Sequence, residues 1–155
     1  MQLLLDRNAN VHVQGGEYGN VLQAAAYRGN EKVVQLLWDQ KADINIQGGE
    51  YGNALQAAIC GADKQKNIVQ LLLDQNADVN AQGGSFGNAL QAAACLGDEE
   101  IVQLLLDKNA DINAQGGCFN TVLFAASTGG NKREVQLLLG KGAKGETVRR
   151  RRVYR

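Results

Sequence analysis

The sequence predicts an all-α repeat solenoid, a stack of helix-turn-helix units connected by hairpin-like loops. The first observation is an eight-residue block that recurs along the chain, and the second is a pair of short helical patterns, separated by glycine, in each copy. The third is the absence of proline beside 19 glycines. We therefore expect Gly and Asn to make the turns, in left-handed conformations.

The recurring block starts with an aromatic residue and continues as Gly-Asn-x-Leu-Gln-Ala-Ala in three copies, with a looser fourth copy. The aromatic residues are spaced by 33, 35 and 33 positions and are Tyr18, Tyr51, Phe86 and Phe119. A second block, Val-Gln-Leu-Leu, follows at Val34, Val69, Val102 and Val135. Two apolar patterns with helical spacing in every copy predict four stacked helix pairs.

Residues that favour helix ends bound each pattern. The N-cap candidates of the first helices are Asn20, Asn53, Asn88 and Thr121. Those of the second helices are Asn30, Asp98 and Asn131, and Glu31, Glu99 and Glu134 follow early enough to favour the helix dipole. The residues expected in a left-handed conformation after the second helix include Asn76, Asn109 and Gly142. Lys41 occupies this position in one copy, where we expect mild strain.

The spacing of 33 residues, the Asn-x-Leu-Gln-Ala-Ala block and the segment Ala-Asp-Val-Asn-Ala at residues 77–81 resemble the ankyrin repeat family over residues 1–143. The family motif is Thr-Pro-Leu-His. In this chain Asn replaces its Thr, Ala or Val replaces its Pro, and Gln replaces its His in three copies. The Gln-Gly-Gly-x-aromatic-Gly-Asn variant is similar to ankyrin arrays of large fungal multidomain proteins. The resemblance implies protein recognition without catalysis and without a cofactor.

The repeat boundaries divide the chain into six segments. They are a partial repeat at 1–17, repeats at 18–50, 51–85 (with a two-residue insertion) and 86–118, a partial repeat at 119–145, and a basic tail at 146–155. Residues 1–6 align with the middle of a second helix, so we expect exposed apolar surface there and end-to-end self-association. The partial ends also suggest either an excerpt from a longer array or a short homologue with unusual ends.

The charges are distributed unevenly along a chain that is neutral overall. Residues 141–155 contain seven Lys or Arg and one Glu, a net charge of +6, so residues 1–140 have a net charge of −6. An acidic body disfavours membrane or nucleic-acid partners. The arginines at 149–152 permit two interpretations: a solvated chain end, or a tail that directs the protein to the nucleus or binds nucleic acid. Without secretory features, the chain is expected in the cytoplasm, or in the nucleus through those arginines.

No group of residues predicts catalysis or metal binding. Residues 140–145 match the dinucleotide-binding pattern G-x-G-x-x-G. They follow a helical pattern rather than a strand, so we interpret them as a turn. His12, the single histidine, occupies an arm position, and we expect it to be a structural residue whose hydrogen bonds are made within the hairpin. Cys60 and Cys95 are equivalent residues in stacked helices about 8 to 10 Å apart, which is too far for a disulfide. We expect three free thiols, no metal, no cofactor and no enzymatic activity.

Comparison among the copies predicts where a partner binds. A position that is the same in all copies is explained by stacking, whereas a variable one is free to contact a partner. The resemblance places such positions on a concave face formed by arm tips and first helices. The candidates are Glu17, Tyr27, Arg28, Glu50, Cys60, Ser85, Cys95, Leu96, Cys118 and Thr128. Tyr27 and Arg28 are the expected anchors, both exposed.

The sequence therefore predicts a non-catalytic module that binds a protein partner. The alternative is a structural spacer or regulatory array within a larger multidomain signalling protein. Both use the same repeats, so the sequence leaves this choice open.

Overall fold

The computed structural model describes residues 10–61 and 66–145, which form four stacked helix pairs. The first helices of the pairs are α1 (Val21–Tyr27), α3 (Ala54–Cys60), α5 (Ala89–Leu96) and α7 (Val122–Thr128). The second helices are α2 (Glu31–Asp39), α4 (Lys66–Asp74), α6 (Glu99–Asp107) and α8 (Lys132–Gly140). The two-residue insertion falls in the α3–α4 connection, where residues 62–65 lie outside the described residues. The predicted all-α repeat solenoid is confirmed.

The first helices begin at the predicted caps. The side chains of Asn20, Asn53 and Asn88 each accept a hydrogen bond from the backbone N–H three residues later, at 2.8, 2.9 and 2.9 Å. Thr121 does the same through Oγ1 at 3.2 Å. Each such cap stabilises a short helix by about 1 kcal/mol. The repeated Asn, replaced by Thr121 in the fourth copy, therefore fixes where each unit starts.

The second helices end with a left-handed residue, as predicted. Lys41, Asn76 and Asn109 have φ angles of 60°, 62° and 64°. A lysine in this conformation costs about 1 to 2 kcal/mol relative to a right-handed one, so the strain expected at Lys41 is present. The repeat geometry is evidently strong enough to impose the conformation without Asn or Gly.

The core lies between the two helix layers and continues from pair to pair. Leu22, Leu55 and Leu90 of the first helices and Leu72 and Leu105 of the second are all buried. Helices of seven to nine residues are marginal alone, so their stability comes from this shared apolar surface. Trp38 of α2 is half-buried and packs against this core.

A row of asparagines joins successive loops on the stack. Asn45 Oδ1 accepts the N–H of Asp78 at 2.8 Å, and Asn45 Nδ2 donates to the Asn76 carbonyl at 3.4 Å. Asn80 and Asn113 repeat both bonds with the next copy. His12 occupies the same position in the first arm, where its backbone N–H donates to Asn10 Oδ1. Among the described residues, the His12 side chain does not form the two hydrogen bonds that Asn45 makes to the next loop.

Glu134 lies in the first turn of α8, as expected, but the structure buries its side chain. Its position in the repeat matches Ile68 and Ile101, which are also buried, although first-turn acids usually face solvent. None of the described helices is long and apolar enough to cross a membrane.

Candidate protein-binding surface

The arm tips form a continuous edge along the stack. The N–H of Glu50 donates to the carbonyl of Glu17 at 2.8 Å, Ser85 donates to Glu50 at 2.9 Å, and Cys118 donates to Ser85 at 3.1 Å. All four side chains are exposed. Backbone bonds thus hold the tips in register while their side chains remain available to a partner.

Glycine is required for this contact between arms. Gly49 has a φ of +66°, and a Cβ atom there would lie 2.5 Å from the backbone nitrogen of Gly19. Gly16 has a similar φ of +74°, but a Cβ there would meet nothing within 4 Å. The second arm therefore needs glycine for both conformation and space, and the first arm only for conformation.

The aromatic residues that follow the tips pack against one another in two pairs. The rings of Tyr18 and Tyr51 stack with centroids 6.1 Å apart, and those of Phe86 and Phe119 are 5.8 Å apart. All four rings are half-buried. Their role in stacking, inferred from their recurrence, agrees with this packing.

Tyr27 corrects one expectation of the sequence analysis. It was predicted to be exposed, but it is half-buried and its ring lies 5.1 Å from Tyr18 and 4.9 Å from Tyr51. A hydrogen bond with the Tyr27 side chain, followed by burial, raises the pKa of Tyr51. The expectation was wrong because a ring in contact with two other rings gains more by packing than by facing solvent. Tyr27 is thus a structural part of this surface.

The other predicted first-helix residues differ in accessibility. Arg28 is exposed, and Leu96 is 53% exposed despite its apolar side chain. Thr128 is also exposed, although its hydroxyl donates to the Phe124 carbonyl at 2.9 Å and is therefore engaged within its own helix. Arg28 and Leu96 are the residues of this group most available for contact.

Phe124 was missed by the sequence analysis. It occupies the position of Gln23, Gln56 and Gln91, whose amide groups donate to carbonyls of the next arm. Phe124 is 56% exposed and makes an edge contact with Phe119 at 6.3 Å. The signal was present, since Phe124 breaks an otherwise constant glutamine.

The three cysteines all lie among the described residues, and each is unpaired. Cys60 and Cys95 are half-buried, whereas Cys118 is exposed at its arm tip. Burial, with a smaller effect of Cys95 and Glu50, raises the pKa of Cys60 to about 12. Burial also raises the pKa of Cys95, followed by the effect of Cys118. Half-buried thiols of this kind are poor nucleophiles because the thiolate is disfavoured.

Within residues 10–61 and 66–145, no three His, Cys, Asp or Glu side chains are arranged to share a metal ion. Two sequence-predicted features lie outside the described residues. They are the apolar start at residues 1–6 and the arginines at 149–152.

Comparison with known families agrees with the architecture. One family model, described as ankyrin repeats (3 copies), matches residues 1–83, and a second, ankyrin repeats (many copies), matches residues 90–139. No curated protein matches the chain. The family models and the four stacked helix pairs lead to the same conclusion: the chain belongs to the ankyrin repeat family, whose repeats are generally protein–protein interaction modules.

Proposed function

We propose that this chain is a non-catalytic module that binds a protein partner on one surface, formed by the arm tips and by exposed residues on and just after the first helices. We call this the tip-and-helix surface and define it by Glu17, Arg28, Glu50, Ser85, Leu96, Cys118 and Phe124. The observation that best supports it is the backbone hydrogen bonding between consecutive tips, from Glu17 to Cys118. A surface that is rigid in backbone and variable in side chain suits recognition, because little conformational entropy is lost on binding.

The chemistry of the surface changes along the stack. Glu17 and Glu50 give the first tips negative charge, whereas Leu96 and Phe124 give the later helices exposed apolar area. Exposed large apolar side chains are frequent at contact sites. We therefore expect a partner that combines apolar contacts near Leu96 and Phe124 with basic groups near the glutamates.

The cellular setting and the absence of catalysis are also part of the proposal. The unpaired state of all three cysteines supports a reducing compartment such as the cytoplasm. Ankyrin repeat proteins are generally non-enzymatic, which supports a binding role. Tagged protein imaged in its source cells, with and without residues 146–155, would test the compartment and the role of the arginines.

Capture of partners by matched variants tests the binding surface. In the test variant, Glu17, Glu50 and Leu96 are replaced by Ala; in the control variant, Lys32, Asp39 and Gln40 on and after α2 are replaced by Ala. All six residues are exposed, so the fold should be retained in both variants. Circular dichroism and thermal melting verify this before binding is measured.

Partners are captured from an extract of the source cells, quantified by mass spectrometry, and remeasured with purified components. The proposal predicts binding at least tenfold weaker for the tip-and-helix variant and unchanged for the control, as expected if one or two central contacts are lost. Equal binding by both variants would place the partner elsewhere on the stack.

A further inference from the structure

Glu134 occupies a core position of the repeat. It is the fourth residue after Gly130 at the start of its second helix, and the equivalent residues in the other pairs are Val33, Ile68 and Ile101. Its side chain is 1% exposed, and neither carboxylate oxygen has a hydrogen-bond partner among the described residues. A buried carboxylate without donors strongly disfavours the charged form.

The backbone N–H that usually pairs with a carboxylate at this helix position already has another acceptor. In a capping box, the third helical residue accepts the N–H of the N-cap residue. Here the N–H of Asn131 donates to the Ala126 carbonyl at 3.0 Å, so it is unavailable to Glu134. The Asn131 amide instead donates to the carbonyls of Ala94 and Cys95, at 3.0 and 3.2 Å.

The charges around Glu134 also disfavour ionisation. Asp98 and Glu99, at the start of α6, face it with like charge. The neighbouring helix α7 contains no titratable side chain, and on α8 itself the first-turn cations Lys132 and Arg133 are exposed. Burial first, and then Glu99 and Asp98, raise the pKa of Glu134 to about 7. The first-turn position favours the charged form through the helix dipole, but this effect is outweighed.

We propose that protonation of Glu134 controls the closure of the last helix pair: the neutral carboxyl lets α8 pack on α7, and the ionised carboxylate favours opening of α8. Opening takes the charge into water and removes Leu138, which is fully buried, from the core. This device belongs to the fold and does not depend on the proposed partner binding.

The sign follows from proton linkage. The pKa of Glu134 is about 7 in the closed state and near the ordinary value of 4.5 once the carboxyl reaches water. Between these values the closed state binds more protons than the open state, so closure is favoured at low pH and weakens as pH rises. The equilibrium constant for opening should rise with pH within this window, by up to about tenfold per pH unit, and become constant above about pH 7. The total change should be on the order of a hundredfold.

Hydrogen exchange on the full chain from pH 5 to 8, corrected for intrinsic exchange rates, measures this opening. The amides of α8 should lose protection relative to those of α6 as pH rises, and the loss should disappear in Glu134→Ile, which restores the residue found at Ile68 and Ile101. Glu134→Gln, neutral and of the same shape, provides a second variant without the titration. His12→Asn controls for the only histidine and should leave the pH dependence unchanged.

A carboxyl-carbon NMR titration of the wild-type protein gives an independent readout. A Glu134 midpoint well above 4.5 that moves down in Glu99→Gln supports the proposal. A midpoint near 4.5, or protection of α8 with the same pH dependence in wild type and Glu134→Ile, would overturn it.

Discussion

The rings of Tyr27 and Tyr51 lie 4.9 Å apart at an angle of 24° and are linked by a side-chain hydrogen bond. Tyr27 therefore connects the first repeat to the second. Replacing Tyr27 by Ala should lower the free energy of unfolding by about 2 kcal/mol, through lost apolar burial and ring contacts.

Two variants separate the parts of this effect. Tyr27→Phe keeps the ring and removes the hydroxyl, so it should cost about 1 kcal/mol or less. Arg28→Ala, at the exposed neighbouring position, should change stability by less than about 0.5 kcal/mol. Urea unfolding measures all three; equal stability of Tyr27→Ala and Arg28→Ala would contradict a structural role for Tyr27.

His12→Asn should stabilise the protein. The new side chain can copy Asn45, which bonds to the backbone of both Asn76 and Asp78 in the next loop. By the same geometry, the introduced amide would reach the carbonyl of Lys41 and the N–H of Asp43, for a gain of about 0.5 to 1.5 kcal/mol. The converse change, Asn45→His, should destabilise by a similar amount. Thermal melting of both variants tests the pair, and a loss of stability in His12→Asn would count against it.

Gly49→Ala should destabilise the stack more than Gly16→Ala. Both residues have positive φ angles, so both variants carry about 1 kcal/mol of backbone strain. Only at Gly49 does the added methyl group meet the backbone of the preceding arm, at Gly19. We expect an extra cost of about 1 to 3 kcal/mol for Gly49→Ala, as for other overpacked sites. Equal midpoints in chemical denaturation would show that the arms do not stack closely in solution.

The thiols should react in the order Cys118, Cys95, Cys60. Cys118 is exposed at an arm tip, whereas burial raises the pKa of Cys60 to about 12 and makes its thiolate scarce at neutral pH. A chromogenic disulfide reagent at about pH 7.5 should find one fast thiol in the native protein and three in denaturant without reductant. Site assignment comes from mass spectrometry, and fewer than three thiols in denaturant would indicate a disulfide.

Glu134→Ile should stabilise the protein more at pH 8 than at pH 5. At pH 8 the wild-type protein buries a charge that the variant lacks, whereas at pH 5 the carboxyl is mostly neutral. With a folded pKa of about 7 against 4.5, the difference between the two pH values is on the order of 2 to 3 kcal/mol. Unfolding measured at both pH values checks this; a gain independent of pH would show that Glu134 titrates normally.

Much of the fold followed from local chemistry that a sequence displays directly. Asn20 and its equivalents cap helices, Lys41 adopts a left-handed conformation, and the repeated leucines form the shared core. The exposed tips from Glu17 to Cys118 were also predicted, because variable positions in a repeat are seldom needed for stacking. The caps and the left-handed residues depend on neighbours in the chain, and the shared core is predictable because the same apolar pattern recurs in every repeat.

Other features depended on contacts between repeats, which internal comparison could only partly reveal. Tyr27 varies among copies and so looked free, yet its ring packs against both Tyr18 and Tyr51, rings from two different repeats. Glu134 was expected only as a first-turn acid, although it is in register with the buried Ile68 and Ile101, and the burial of its side chain was not predicted. The sequence by itself determined the repeat, its helix boundaries and its class. The tertiary structure decided which variable side chains are buried, because burial depends on the neighbouring repeat rather than on the residue's own helix.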